Sequence, residues 1–344
     1  MKPSRLLLTL ALALALSGVA YVAQLAEPAG AKMCAAGEKF LGSLSDEQKK
    51  KAALAFDDPE RINWNFVPLQ DRMKRATRKG IPLEDMNEEQ KQAALALVRA
   101  GTSESGYKKA TTIMSLESIL RDLEKGGAMV RNPQWYFFTV FGEPSKTGKW
   151  GWRVEGHHLA LNFVVDNGKV IAATPAFFGA NPATVKDGPR KGLRTLPESE
   201  NFAIELFNSL SDDQKKIAFQ DKQFPEIEQG KAAPNVGEPK GLPAEKMTEP
   251  QRSTLMKLLH AYTARMPPDI GEVEMALVKE GGIDKVHFAY AGGTQPGEPH
   301  TYRVQGPTFV VEFLNVQSDS AGNPANHIHS AWRHMAGDFG ITRK

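Results

Sequence analysis

The chain has a single cysteine, Cys34, in 344 residues. No intramolecular disulfide can brace it, so cohesion must come from the core and from any bound metal. Beyond residue 23 it has no apolar run long enough to cross a bilayer. It also lacks a surplus of one charge: 43 basic and 40 acidic residues are interspersed, for a net +3. A nucleic-acid groove needs a clustered basic stripe, and none is present, so nucleic acid is not an expected partner. A small-molecule ligand remains open, and composition says nothing of its identity or of oligomeric state.

One apolar run does exist, at the start. Lys2 and Arg5 precede the uncharged stretch from Leu6 to Ala23, and a polar segment then leads to Ala29-Gly30-Ala31. A basic region, an apolar region and a small-x-small exit make up a secretory signal peptide, read here as residues 1–31. The competing reading is a retained membrane anchor, since the run approaches the ~18 residues at which spanning begins. Ser17, Gly18 and Ala20 dilute its later part and favour cleavage. The expectation is an exported protein, periplasmic or extracellular, with no span left after signal removal. Lys32, just ahead of Cys34, argues against lipid attachment there.

The remaining chain repeats itself. Ser43 to Lys50 (SLSDEQKK) recurs as Ser209 to Lys216 (SLSDDQKK), and the ungapped match reaches Pro59-Glu60 and Pro225-Glu226. Each copy opens a helix: Ser45 or Ser211 caps it, and Gln48 or Gln214 three residues on completes a capping box. Asn87 with Gln90, and Thr248 with Gln251, have the same form. Later, Trp152 to Phe163 lies over Tyr302 to Phe313, with aromatic and β-branched content typical of strands. Alternation places Leu159, Leu161 and Phe163 on one core face, with Phe309, Val311 and Phe313 on its equivalent. His158 and Asn162 then point the other way, and His157 falls in phase with the core. Helices followed by antiparallel strands in each half indicate α+β. The expected architecture is two diverged copies, 38–195 and 196–344, related by a pseudo-twofold axis and forming one compact domain. Residues 182–197 join the copies, and Gly230 to Pro243 is expected to be a mobile surface loop.

Five of the eight histidines fall in two clusters, His157-His158 and His327-Ile328-His329 with His334. In an extended segment residues i and i+2 share a face, so His327 and His329 can address one ion. Each half holds the cluster that the other lacks, because Pro307-Thr308 stands opposite His157-His158. The prediction is one composite site with His157, His158, His327 and His329 as metal ligands, His158 ahead of His157. An all-imidazole set suits Zn²⁺ or Cu²⁺, and Fe²⁺ if Glu155 joins. Glu155 is the candidate general base and Arg333 the candidate oxyanion-stabilising cation, with Arg153, Asn162, Trp332 and His334 as substrate contacts. For Arg153, its match to Arg303 also admits a structural pairing; for Glu155, an ordinary ion pair is the alternative. The histidines too have a bland alternative, as buried, hydrogen-bonded core residues.

Trp150 to Phe163 with its Gly156-His157-His158, Thr174 to Pro182, Arg61 to Pro68, Ser105-Gly106-Tyr107, and His327 to Arg333 together resemble the bacterial domain-of-unknown-function family numbered 3500. The likeness covers essentially the whole chain after the leader. Relatives commonly carry an acid after the Trp-Arg pair, where this chain has His334. The resemblance implies no reaction. The expected function is an exported metal-binding protein, a metalloenzyme that is hydrolytic with zinc or redox-active with copper or iron. The alternative is a non-catalytic extracytoplasmic binding protein for a small ligand or metal.

Overall fold

A computed structural model describes residues 27–341 except Pro296. The leader residues Lys2, Arg5 and Leu6 to Ala23 lie outside the described residues. The fold is α+β, with eight α-helices among the described residues and a twelve-stranded sheet.

Helices come in two sets of four. The first set comprises α1 (Ala29–Ser43), α2 (Asp46–Ala52), α3 (Glu88–Gly101) and the longer α4 (Glu104–Leu123) that follows. The corresponding set is α5 (Pro197–Ser209), α6 (Asp212–Ala218), α7 (Glu249–Thr263) and α8 (Pro268–Glu280). The four expected capping boxes are present at Ser45, Asn87, Ser211 and Thr248. Their glutamines do more than cap. Gln90 donates to the Ser43 carbonyl at 2.9 Å and exchanges amide hydrogen bonds with Gln48, tying α1, α2 and α3 at one knot. Gln251 repeats this with the Ser209 carbonyl at 2.9 Å and with Gln214.

The strands are β1 (Ala53–Leu54), β2 (Ile81–Pro82), β3 (Phe137–Phe141), β4 (Lys149–Gly156), β5 (Leu159–Asp166), β6 (Lys169–Ala172) and β7 (Ala176–Phe178), then β8 (Leu242–Pro243), β9 (His287–Gly292), β10 (His300–Gln305), β11 (Phe309–Gln317) and β12 (His327–His334). Their order is β1-β3-β4-β5-β7-β12-β11-β10-β9-β8, with β2 on β3 and β6 on β5. Two antiparallel meanders thus flank a central β7–β12 pair, in which Phe177 faces Ala331 and Ala176 faces Trp332.

The two faces of this sheet differ. Trp152, Val154, Leu161, Phe163, Val304, Val311, Phe313 and Trp332 join the helices in one large core. The alternate positions include Arg153, Glu155, Asn162, Arg303, Glu312 and Arg333, all buried. Loops rather than helices cover this polar face, so loop carbonyls meet the buried guanidinium groups. The segment expected to be mobile, Gly230 to Pro243, is part of that cover. Its Lys231 carbonyl accepts from Arg333 and Trp64, and its Val236 and Gly237 carbonyls accept from Arg303 and Gln305. Pro and Gly content marked the segment correctly as irregular, but these donors pin it. A second correction concerns Trp152 to Phe163. It is not one strand but a hairpin, with His157-His158 as the two-residue turn between Gly156 and Leu159.

The crossed amides make a quantitative expectation. Gln90→Ala leaves the Ser43 carbonyl and the Asn87 amide without partners, and Gln251→Ala does the same in the second half. Each should cost about 1–3 kcal/mol, read as a lower denaturant midpoint at unchanged slope. A shift of only a few tenths of a kcal/mol would contradict this role.

Candidate metal centre

The site is assembled where the β4–β5 turn meets the start of β12. Tyr136 packs so closely on the turn that a side chain at Gly156 would come within 2.5 Å of its ring. Its hydroxyl donates to the His157 carbonyl at 2.9 Å. His158 has φ +63°, a left-handed conformation that costs a non-glycine residue about 1–2 kcal/mol. Two backbone hydrogen bonds hold it there: His158 donates to the Phe66 carbonyl, and Gly179 donates to the His158 carbonyl, each at 2.8 Å. A side chain at Gly179 would stand 2.9 Å from the His158 ring and 2.7 Å from the Ile328 carbonyl. Only glycine fits this approach.

From the other side, β12 presents alternate residues His327 and His329 to the same point. Ile328 and Ala180 exchange backbone hydrogen bonds at 2.9 Å, which fixes the strand beside Gly179. The Nε2 atoms of the three rings converge: His158 to His327 is 2.7 Å, His158 to His329 is 3.2 Å, and His327 to His329 is 3.1 Å. These three form a group able to hold a metal ion. Ligands at about 2.0–2.1 Å with tetrahedral angles stand about 3.3 Å apart, and the triangle nearly matches that spacing.

The tautomer of His329 follows from its outer partner. His329 Nδ1 lies 2.8 Å from Glu226 Oε2. An ionised carboxylate can only accept, so the ring proton sits on Nδ1 and the Nε2 lone pair faces the centre. Phe66 and Phe177, stacked with centroids 3.9 Å apart, wall the His329 ring. Asn181 places its amide 3.4 Å from His327 Nδ1. Burial pushes His158 well below the ordinary imidazole range, helped by the charges of His157, His327, His329 and Arg131. Burial, and then His329, push His327 down to about 3. Hydrogen bonds among three ring nitrogens this close cannot satisfy all of them, whereas one cation placed between them can.

The remaining predicted site residues are placed elsewhere. The His157 ring lies tilted against that of His158, with centroids 3.8 Å apart, but its Nδ1 is taken by Glu117, with Arg131 3.3 Å away. Glu155 accepts from the Asn65 amide at 2.9 Å and lies between Arg153 and Arg78, at 3.4 and 3.8 Å. Arg153 pairs with Glu60 at 2.8 Å. Asn162 donates to the Pro175 carbonyl at 2.9 Å. Trp332 and His334 share Glu274, at 2.8 and 2.7 Å. All three side-chain nitrogens of Arg333 are engaged, by Asp338, Glu228 and Lys231. Arg333 is expected at the site because it sits beside the histidine cluster in sequence; it lies on the triad's face of β12 but farther along the strand, under loop carbonyls of Glu228 and Lys231. Conversely, sequence reading missed Glu226, Asn181, Gly179 and Glu117. Only Glu226 carried a signal, as the partner of Glu60 in the repeat.

Arg333 is therefore structural. Arg333→Ala leaves Asp338 as a buried unpaired charge and two carbonyls without donors, so it should destabilise the fold by about 3–5 kcal/mol. Equilibrium unfolding in urea measures this, and a near-native midpoint would refute the assignment.

No curated protein matches the chain, and no solved structure does. By sequence, through residues 27–341, the chain belongs to the family described as Protein of unknown function (DUF3500).

Proposed function

We propose that this is an exported metalloprotein whose single ion is held by the Nε2 atoms of His158, His327 and His329. The observation that carries the reading is the convergence of three imidazole nitrogens within 3.2 Å of one another. The donor set is nitrogen alone. Among the described residues the converging group contains no thiolate or carboxylate, which favours Zn²⁺ or Cu²⁺ over the two-histidine, one-carboxylate arrangement of iron. Three protein ligands leave a coordination position for water or substrate, the pattern of catalytic rather than structural zinc. A bound zinc would supply an acidified water for hydrolysis, and copper would supply redox chemistry. The protein's own contribution is to hold the three rings in place and to bury two of them. His158 and His329 are 3% and 6% exposed, a depth that favours a resident ion over one in transit. Glu155 and Arg333 lie outside this site, so no catalytic role is carried over to them.

Elemental analysis of protein purified from its native compartment tests the reading. One equivalent of zinc or copper is expected, falling below about a tenth in His327→Ala and His329→Ala, while His260→Ala, on an exposed helix position, keeps it. Metal-free wild-type protein that also takes up none on dialysis would contradict it.

The site also suits an origin by duplication. The repeated capping boxes, the paired glutamine knots and the mirrored order of the meanders about β7 and β12 support two diverged copies around a pseudo-twofold axis. On that reading, 38–195 supplies the histidine turn and 196–344 the histidine strand.

Export rests on the leader composition, and the first helix sharpens where cleavage falls. Ala29 donates its backbone amide to Asp269 at 2.9 Å, and Gly30 packs so closely that a side chain would meet the Gly168 carbonyl. A cut after Ala31 would divide this packed helix. The mature N-terminus should therefore lie between Gln24 and Pro28, as read by N-terminal sequencing of envelope material. A start at Lys32, or intact Met1 in the membrane fraction, would overturn this.

A further inference from the structure

We infer that Glu226 is the positioning residue of the metal centre, and that Glu312 frees it for that role. The inference rests on the metal reading above and adds to it the residue that sets ligand geometry.

The two halves use one set of parts differently. Pro59-Glu60 and Pro225-Glu226 are matching steps of the sequence repeat, and Arg153 and Arg303 occupy matching strand positions. In the first half the buried arginine takes the carboxylate of the step: Arg153 pairs with Glu60 at 2.8 Å and also donates to its carbonyl. Its cross-strand neighbour in the register of β4 and β5 is Asn162, which is uncharged and spends its amide on the Pro175 carbonyl, and Glu155 on its own strand, 3.4 Å away, is shared with Arg78. In the second half the cross-strand neighbour of Arg303 is Glu312, and the two form a buried pair at 3.0 Å. With Arg303 neutralised from within the sheet, the carboxylate of its own step has no arginine to serve. Glu226 turns instead to His329, with Oε2 2.8 Å from Nδ1. Its other oxygen accepts from the Ile227 amide at 2.8 Å, which sets the carboxylate plane. The exchange of Asn162 for Glu312, with Gln305 standing where Glu155 does, thus moves the carboxylate that neutralises Arg303 into the sheet and leaves that of Glu226 to the metal centre.

Two observations support the competition this implies. Arg303 Nε is buried without a hydrogen-bond partner, so an acceptor that came within reach would be taken up. Glu226 is also near enough for its charge to act on Glu312, whose carboxyl is raised chiefly by burial. A carboxylate on the outer nitrogen of a ligating imidazole fixes the tautomer and strengthens the donor, and losing it weakens metal binding about 10–100-fold.

The test uses full-length protein with zinc as the probe, its affinity read by chelator competition, and cobalt(II) as a spectroscopic reporter of ligand geometry. Glu226→Ala should lower zinc affinity about 10–100-fold and alter the cobalt spectrum. The thermal midpoint of the metal-free protein should stay unchanged, because the Glu226 side chain is 44% exposed. Glu226→Gln, which keeps an oxygen for the Nδ1 proton, should lose less. Glu312→Asn should also weaken zinc binding by drawing Glu226 back to Arg303, and adding Glu226→Ala to it should cost little more. Wild-type protein that binds zinc, with an affinity within twofold of wild type in Glu226→Ala, overturns this inference alone. Wild-type protein that binds no metal overturns the metal reading and this inference with it.

Discussion

The site depends on the β7–β12 pairing at the middle of the sheet. Only two residue pairs make it, Ala176 with Trp332 and Phe177 with Ala331, and the Ala180–Ile328 exchange extends it. Strands up to β7 form one meander, and β8 to β12 form the other. Because β5 borders β7 on its far side, this short junction brings the β4–β5 turn within reach of the first residues of β12. His158 and His329 are 171 residues apart in the chain, and no local propensity could set their separation. Register does so: a slip of one residue in β12 would turn both His327 and His329 to the helix-covered face.

A second constraint is the cover of the polar face. Helices bury one side of the sheet with aliphatic and aromatic side chains, whereas three arginines are buried on the other. A buried guanidinium needs acceptors around its plane, which Asp338, Glu60 and Glu312 supply together with loop carbonyls from Glu60, Glu228, Lys231 and Val236. The loops that serve these arginines are the same ones that place Phe66 and Glu226 around His329. Cover and metal centre are one structure, which is why a Gly- and Pro-rich segment with little regular structure is nonetheless held in place.

Much of this was legible in the chain. Capping boxes are local, four residues long and chemically reciprocal, so Ser45, Asn87, Ser211 and Thr248 could be read directly as helix starts. Strand alternation placed Leu161 and Phe163 in the core, and Val311 and Phe313 with them. The spacing of His327 and His329 placed both on one face. The convergence of the histidine clusters followed from their complementary presence in the two halves rather than from any local pattern. What could not be read was anything set by a turn or a tertiary partner. A two-residue hairpin at His157-His158 resets the phase that had assigned His157 to the core, and only the partnering of Glu117 and Glu226 shows which imidazole nitrogens remain free. The roles expected of Arg333 and Glu155 failed for a related reason. Proximity in sequence to a histidine cluster says nothing about which side chain already satisfies an arginine or a carboxylate.

The central claim is that three imidazoles, and nothing softer, hold one ion. X-ray absorption spectroscopy of the metal-bearing protein tests this most directly, since it counts and identifies ligating atoms without reference to turnover. The account predicts a shell containing three imidazole nitrogens at about 2.0–2.1 Å for zinc, with the outer-ring scattering of histidine and one or two light-atom ligands. A sulfur scatterer near 2.3 Å, the distance of a thiolate ligand, or a shell of oxygen alone without imidazole scattering would contradict it.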